Sequence, residues 1–154
     1  RQMCIRDRDG LVKGGERVLD IGTGSGILAI AALKLGAAKA EGVDIDPMCV
    51  RTAGENAALN GVQNDLTVLV GDLSEKATGV YDVICANIVA NAIIHLVPNV
   101  PALLAKHGTF LASGIIDTRK DEVIAAVQAA GLALREVKEK NGWVALVCGH
   151  TGRE

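Results

Sequence analysis

Three acidic residues and one amide each follow a short apolar run, and three glycines alternate just after the first of them. Val18-Leu19-Asp20-Ile21 leads into Gly22-Thr23-Gly24-Ser25-Gly26, Gly42-Val43 into Asp44, Val68-Leu69-Val70-Gly71 into Asp72, and Val83-Ile84-Cys85-Ala86 into Asn87. Behind the glycines comes the apolar stretch Ile27–Leu33. Strand, glycine turn and helix in that order form the first unit of a nucleotide-binding α/β fold. Glycine permits the tight turn and lets a ligand approach where a Cβ would clash. The first N–H groups of the new helix then face that ligand. Gly22, Thr23, Gly24 and Gly26 are therefore candidate ligand contacts.

Asp44 falls about 20 residues after the turn, at the end of a second strand, where a carboxylate accepts hydrogen bonds from both ribose hydroxyls of an adenosine. The alternative role, capping the next helix, suits Asp46 better. Ile45 would pack on the adenine face or in the core. Asp72 would accept from the adenine amino group, with the Leu73 backbone reading the ring edge, or would be an ordinary turn residue. Asp20 ends a buried strand, and a buried charge needs partners. It would accept from the N–H groups of the glycine turn, hold the cationic end of a ligand, or do both. Ligands of open α/β sheets bind at the carboxyl ends of the strands, so these exits are expected to converge on one crevice.

The elements that must position these residues follow from the pattern of apolar runs and breakers. Strands are predicted at 17–21, 40–44, 66–70, 81–86 and 109–113. Helices are predicted from Ile27 to about Leu35 with Gly36 as its cap, and from Pro47 to about Leu59 with Asp46 as N-cap. One or two more fall within 88–104, interrupted by Pro98 and Pro101. Thr118–Asp121 fits a capping box for a further helix reaching Ala130. Asn141-Gly142 between two β-type runs, Leu132–Lys140 and Trp143–Cys148, signals a hairpin. Five β/α units and a terminal hairpin imply a mostly parallel sheet with helices on both faces and one antiparallel strand.

The chain has 154 residues, 49% of them hydrophobic and only 2% aromatic, so its core must come from Ala, Val, Leu and Ile. A formal net charge of −2 gives no electrostatic case for binding nucleic acid. Cys4, Cys49, Cys85 and Cys148 show no paired spacing, which suits reduced thiols in a cytoplasmic protein and no metal site. No apolar run reaches the roughly 20 residues of a membrane span, and no secretion signal is expected. Residues 1–15 are expected to be poorly structured, with the domain occupying 16–150.

The glycine spacing separates the candidate ligands. A dinucleotide fingerprint needs a third glycine where Ile27 stands, and no phosphate-loop lysine is present. A nicotinamide oxidoreductase is disfavoured on the same grounds. The turn D-x-G-x-G-x-G, the acidic second strand and the terminal hairpin instead resemble the class I methyltransferases that use S-adenosyl-L-methionine, with their Rossmann-like seven-stranded fold. Val18–Ala32, Gly42–Pro47, Ala86–Ala90 and Ser113–Ile116 together are similar to one subfamily, the PrmA family, which methylates a large-subunit ribosomal protein.

The resemblance covers about residues 16–149. It implies that the glycine turn contacts the methionine part of the cofactor and that Asp44 holds its ribose. It also implies that Asn87 lies against the cofactor and is catalytic, its carbonyl oxygen accepting an N–H of the substrate amine and aiming the lone pair at the methyl carbon. The prolines and aromatic that often follow such a residue are missing after Asn87. The family also carries a separate N-terminal recognition domain and a Gly/His/Thr-rich segment before the first strand. Residues 1–8 do not resemble that segment, which leaves a foreign or misread origin open for them, and the chain is expected to be the catalytic domain alone. His95 and His107 are expected to be structural or surface residues and Trp143 to be packed. Two alternatives stand beside the leading reading: the same fold acting on a small molecule or another protein, and a cofactor-binding module inactive without its recognition domain.

Overall fold

In the computed structural model residues 12–152 are described. Most of the N-terminal stretch expected to be poorly structured, and Cys4 with it, lies outside them. The strands are β1 (Arg17–Ile21), β2 (Lys39–Asp44), β3 (Leu66–Val70), β4 (Tyr81–Asn87), β5 (Leu104–Ile116), β6 (Leu132–Lys140) and β7 (Trp143–His150). The helices are α1 (Ile27–Lys34), α2 (Pro47–Leu59), α3 (Ala90–Leu96), α4 (Val100–Leu103) and α5 (Lys120–Ala129). The strands form one seven-stranded sheet in the order β3-β2-β1-β4-β5-β7-β6. By compactness the chain divides into two units between Ala77 and Thr78.

In the first unit β1 and β3 both pair parallel to β2, with Ile21 opposite Val43 and Asp44 opposite Val70. Val18, Leu19 and Ile21 are buried together with Ala29, Ile30 and Ala53 of the helices. Small alanines at these helix positions let α1 and α2 lie close to the sheet. The Asp46 side chain accepts from the Met48 N–H at 2.9 Å and Pro47 fills the first helical position, as the sequence requires of a helix start. Gly36, at φ 117°, ends the first helix.

In the second unit β4 pairs parallel to β5, and β7 pairs antiparallel to both β5 and β6. Asn141 and Gly142 take φ of 53° and 83°, the left-handed pair that a two-residue hairpin turn demands. Tyr81 and Phe110, both fully buried, anchor the core with Ile84, Ile93, Val123 and Leu146. The Tyr81 hydroxyl accepts from the Thr78 N–H at 3.0 Å.

Four expectations are corrected. Residues 71–80 carry turns and no helix, so the third strand is not followed by a β/α unit; ten residues with Gly71 and Gly79 give no room for one. β5 begins at Leu104, five residues early, because its pairing with β4 resumes across an irregularity between Tyr81 and Val83. Gly108 fits that irregularity, since a Cβ there would stand 2.9 Å from the Asp82 carbonyl oxygen. The predicted capping box is displaced: Asp117–Arg119 wind as a 3-10 turn and Arg119 stands at the N-cap of α5 without a side-chain cap. The Arg119 guanidinium instead donates to Glu122 at 2.7 and 3.0 Å and to Asn91 Oδ1 at 2.6 Å. Trp143 is 56% exposed rather than packed, because it starts β7 opposite Ile116, itself exposed at the end of β5.

Candidate functional site

The first unit gathers the glycine turn, Asp20 and Asp44 at the carboxyl ends of β1 and β2. Gly22, Gly24 and Gly26 have φ of 73°, 57° and 84°, a left-handed run closed to residues with a Cβ except at a cost. The turn is pinned from β2. The N–H groups of Gly22 and Thr23 donate to the Val43 carbonyl at 2.8 and 3.0 Å. The Gly24 N–H donates to Asp44 Oδ2 at 2.9 Å, and Asp44 Oδ1 accepts from the Asp46 N–H at 3.0 Å. An ionised carboxyl has about four acceptor positions. Asp44 keeps two of them after these bonds, so it can steady the turn and still receive a pair of hydroxyls.

Asp20 does not take the N–H groups of the turn: those of Gly22 and Thr23 go to Val43, that of Gly24 to Asp44 and that of Gly26 to the Thr23 carbonyl. Its Oδ2 instead accepts from the Thr23 hydroxyl at 2.9 Å, and its Oδ1 is buried without a hydrogen-bond partner. Burial pushes the carboxyl up from the usual 3.8 to about 7; the Thr23 hydroxyl and the Ala29 N–H act in the opposite direction, and the Asp44 charge adds to the rise. At 1% exposure Asp20 acts on the turn from behind.

Thr23 reaches Asp20 only because Gly42 in β2 has no side chain: a Cβ there would lie 2.8 Å from Thr23 Oγ1. A glycine inside a strand signals such a close approach, and this one was legible in Glu41-Gly42-Val43. Asn56 of α2 also holds the turn, its Nδ2 donating to the Ser25 carbonyl at 2.9 Å. Nothing in the sequence distinguished Asn56 from any other polar helix residue.

Ile45 is 70% exposed, which removes the core role and leaves an apolar surface beside the Asp44 carboxylate. The Gly71 N–H donates to the Asp44 carbonyl at 2.9 Å and ties the exit of β3 to that of β2. Asp72 follows, exposed, its N–H donating to Glu75 Oε1 at 2.9 Å, and Leu73 adopts φ 48°, rare for a leucine.

In the second unit Asn87 ends β4, half-buried and directly opposite Ser113 of β5. The Ser113 hydroxyl donates to Asn87 Oδ1 at 3.3 Å. Ile88 is half-buried and Val89 is 69% exposed, so the surface just after Asn87 is apolar. His95 and His107 are both exposed. Among the described residues no cluster of His, Cys, Asp or Glu could hold a metal, and no helix is long and apolar enough to cross a membrane.

Residues 1–151 match the family described as "Ribosomal protein L11 methyltransferase (PrmA)", an extent reaching further toward the N-terminus than the motifs alone. Proteins of that name from Desulforamulus reducens and Symbiobacterium thermophilum are 44% and 46% identical, over 95% and 94% of this chain. The chain spans about half the length of these curated relatives, 47% of each. A crystal structure titled as a ribosomal protein L11 methylase from Lactobacillus delbrueckii subsp. bulgaricus superposes with a TM-score of 0.85 at 34% identity, covering 88% of this chain and 70% of that one. A TehB-like S-adenosylmethionine-dependent methyltransferase from Corynebacterium glutamicum shares the fold alone, at 18% identity and a TM-score of 0.75. On its sequence and its fold, the chain belongs to the ribosomal protein L11 methyltransferase (PrmA) family.

Proposed function

We propose that residues 16–150 form a methyltransferase domain that uses S-adenosyl-L-methionine to methylate amino groups, lysine side chains and the N-terminus, of ribosomal protein L11 of the large subunit, in the cytoplasm. The observation that carries this reading is the Asp44 carboxylate, fixed by the Gly24 and Asp46 N–H groups with acceptor positions to spare and with exposed Ile45 beside it. Those features fit an adenosine: hydroxyls for the carboxylate and a flat apolar face for Ile45. The left-handed glycine run supplies the close backbone approach that the methionine part requires, and Asp20 shapes that run through Thr23. Asp72 and Leu73 take the adenine edge in the same reading.

The bound cofactor supplies a methyl group already activated on a sulfonium. The protein's task is therefore to position an amine and exclude water. A lysine amine, with an ordinary pKa of about 10.4, must lose its proton before it can attack. The apolar surface of Ile88 and Val89 favours the neutral amine. Asn87 Oδ1 accepts one N–H of that amine and directs its lone pair, which makes Asn87 the catalytic residue.

Calorimetric titration tests the cofactor arm. S-adenosylmethionine is expected to bind, Asp44→Ala to weaken it by at least about tenfold through the lost hydroxyl bonds, and NAD not to bind. A folded chain that binds NAD in preference would overturn the assignment. Transfer of labelled methyl to ribosomal protein L11 tests the second arm, with the chain alone and with the part of its relatives that it does not span supplied. Asn87→Ala is expected to lower kcat by at least about tenfold while leaving cofactor affinity within about twofold.

A further inference from the structure

Asn87, half-buried at the end of β4, is held from the neighbouring strand. Its carboxamide oxygen turns sideways toward the neighbouring strand, where the Ser113 hydroxyl donates to it at 3.3 Å. The next residue, Gly114, lies under the same atom. A Cβ on Gly114 would stand 2.7 Å from Asn87 Oδ1, closer than real Cβ atoms come, and a tight 3.2 Å from the Ile88 carbonyl oxygen. Gly114 also adopts φ 80°, so it is glycine both for its backbone and for the space above it. Ser113 is buried at 9% exposure, and the parallel register of β4 and β5 places it opposite Asn87. The two residues therefore form a seat: one gives the carboxamide a hydrogen bond, the other gives it room.

We propose that Ser113 and Gly114 are positioning residues that set the orientation of the Asn87 carboxamide and keep its oxygen presented as an acceptor. An asparagine amide rotates through a broad, roughly two-fold torsion and can present nitrogen or oxygen in the same direction. The Ser113 hydroxyl donates to Oδ1 and Gly114 leaves room for that oxygen, so together they hold the amide with its oxygen toward β5. An amide oxygen has two lone pairs, so the 3.3 Å bond from Ser113 leaves one for a second donor. The consequence for catalysis rests on the function proposed above; the seat itself does not.

Nuclear magnetic resonance of the 154-residue chain labelled with 15N-asparagine separates the two. Loss of one side-chain NH2 pair in Asn87→Ala identifies the Asn87 amide. In Ser113→Ala that pair is expected to move to the position of a freely rotating amide, while Ser113→Thr, which keeps the hydroxyl, holds it in place. In parallel, Ser113→Ala is expected to lower kcat for methyl transfer to ribosomal protein L11 by about fivefold to tenfold with KM and cofactor affinity within about twofold, and Ser113→Thr to restore it. Gly114→Ala, kept only if it melts as a folded protein, is expected to shift the same NH2 pair. An Asn87 pair that is unmoved in Ser113→Ala overturns the seat. A pair that moves while an active wild type and Ser113→Ala share the same kcat overturns the catalytic role of the orientation. Absence of transfer by the wild type counts against the proposed function, and the resonance comparison still decides the seat.

Discussion

Asp20 is a buried carboxyl among the apolar residues of β1. Its carboxyl is buried, bonded on one oxygen by Thr23, and raised to about 7 by that burial. A group whose folded pKa lies above its unfolded one stabilises the fold below the unfolded pKa and loses that contribution as pH rises through the folded value. The window here runs from about pH 4 to about pH 7, and its full depth is roughly 4 kcal/mol. Denaturant unfolding of wild type and Asp20→Asn at several pH values isolates the effect. The stability of the wild type relative to the variant is expected to fall steadily across that window and to level off above it, whereas a constant difference would show that Asp20 ionises normally. At the same scale, Cys148 is pushed up to about 12 by burial, and its thiol is expected to resist modification at pH 8 in the folded protein.

At the level of elements, the glycine turn matters as a joint between two helices as well as a ligand cradle. A Cβ on Gly26 would meet the Ala53 Cβ at 3.0 Å, and Gly26 sits at φ 84°. Gly26→Ala therefore combines backbone strain with a clash against α2, and is expected to destabilise the protein by about 1–3 kcal/mol in thermal or denaturant unfolding. Gly24, with no atom within 4 Å of its would-be Cβ, carries only the backbone part of that penalty and is expected to be the milder site. The hairpin gives a different check. Trp143 is the sole tryptophan of the chain and is 56% exposed. Its fluorescence is expected to resemble indole in water and to be quenched readily by iodide; a blue-shifted, protected emission would place it in a covered site.

For the whole molecule, cofactor binding and stability are linked by mass action. A ligand that binds only the folded chain at a hundredfold excess over its Kd adds about 2.7 kcal/mol. S-adenosylmethionine is expected to raise the melting temperature accordingly, NAD to leave it unchanged, and Asp44→Ala to remove most of the shift at the same ligand concentration.

The sequence by itself determined the order and kind of most elements, because runs of Val, Ile and Leu bounded by Gly, Asp and Asn leave a parallel strand few alternatives, and because Asp46-Pro47 and Asn141-Gly142 start a helix and close a hairpin by local chemistry alone. It also marked Asp44 and Asn87, since polar residues that end buried strands stand out against their neighbours. What only tertiary structure decided are the partners. Gly42 must yield to Thr23, Asn56 must reach Ser25, and Asn87 must lean on Ser113 and Gly114, and each pairing joins positions 19 to 31 residues apart. The start of β5 and the exposure of Trp143 were hidden for the same reason. Strand pairing and burial are set by which chain lies alongside, and no local pattern of residues carries that information.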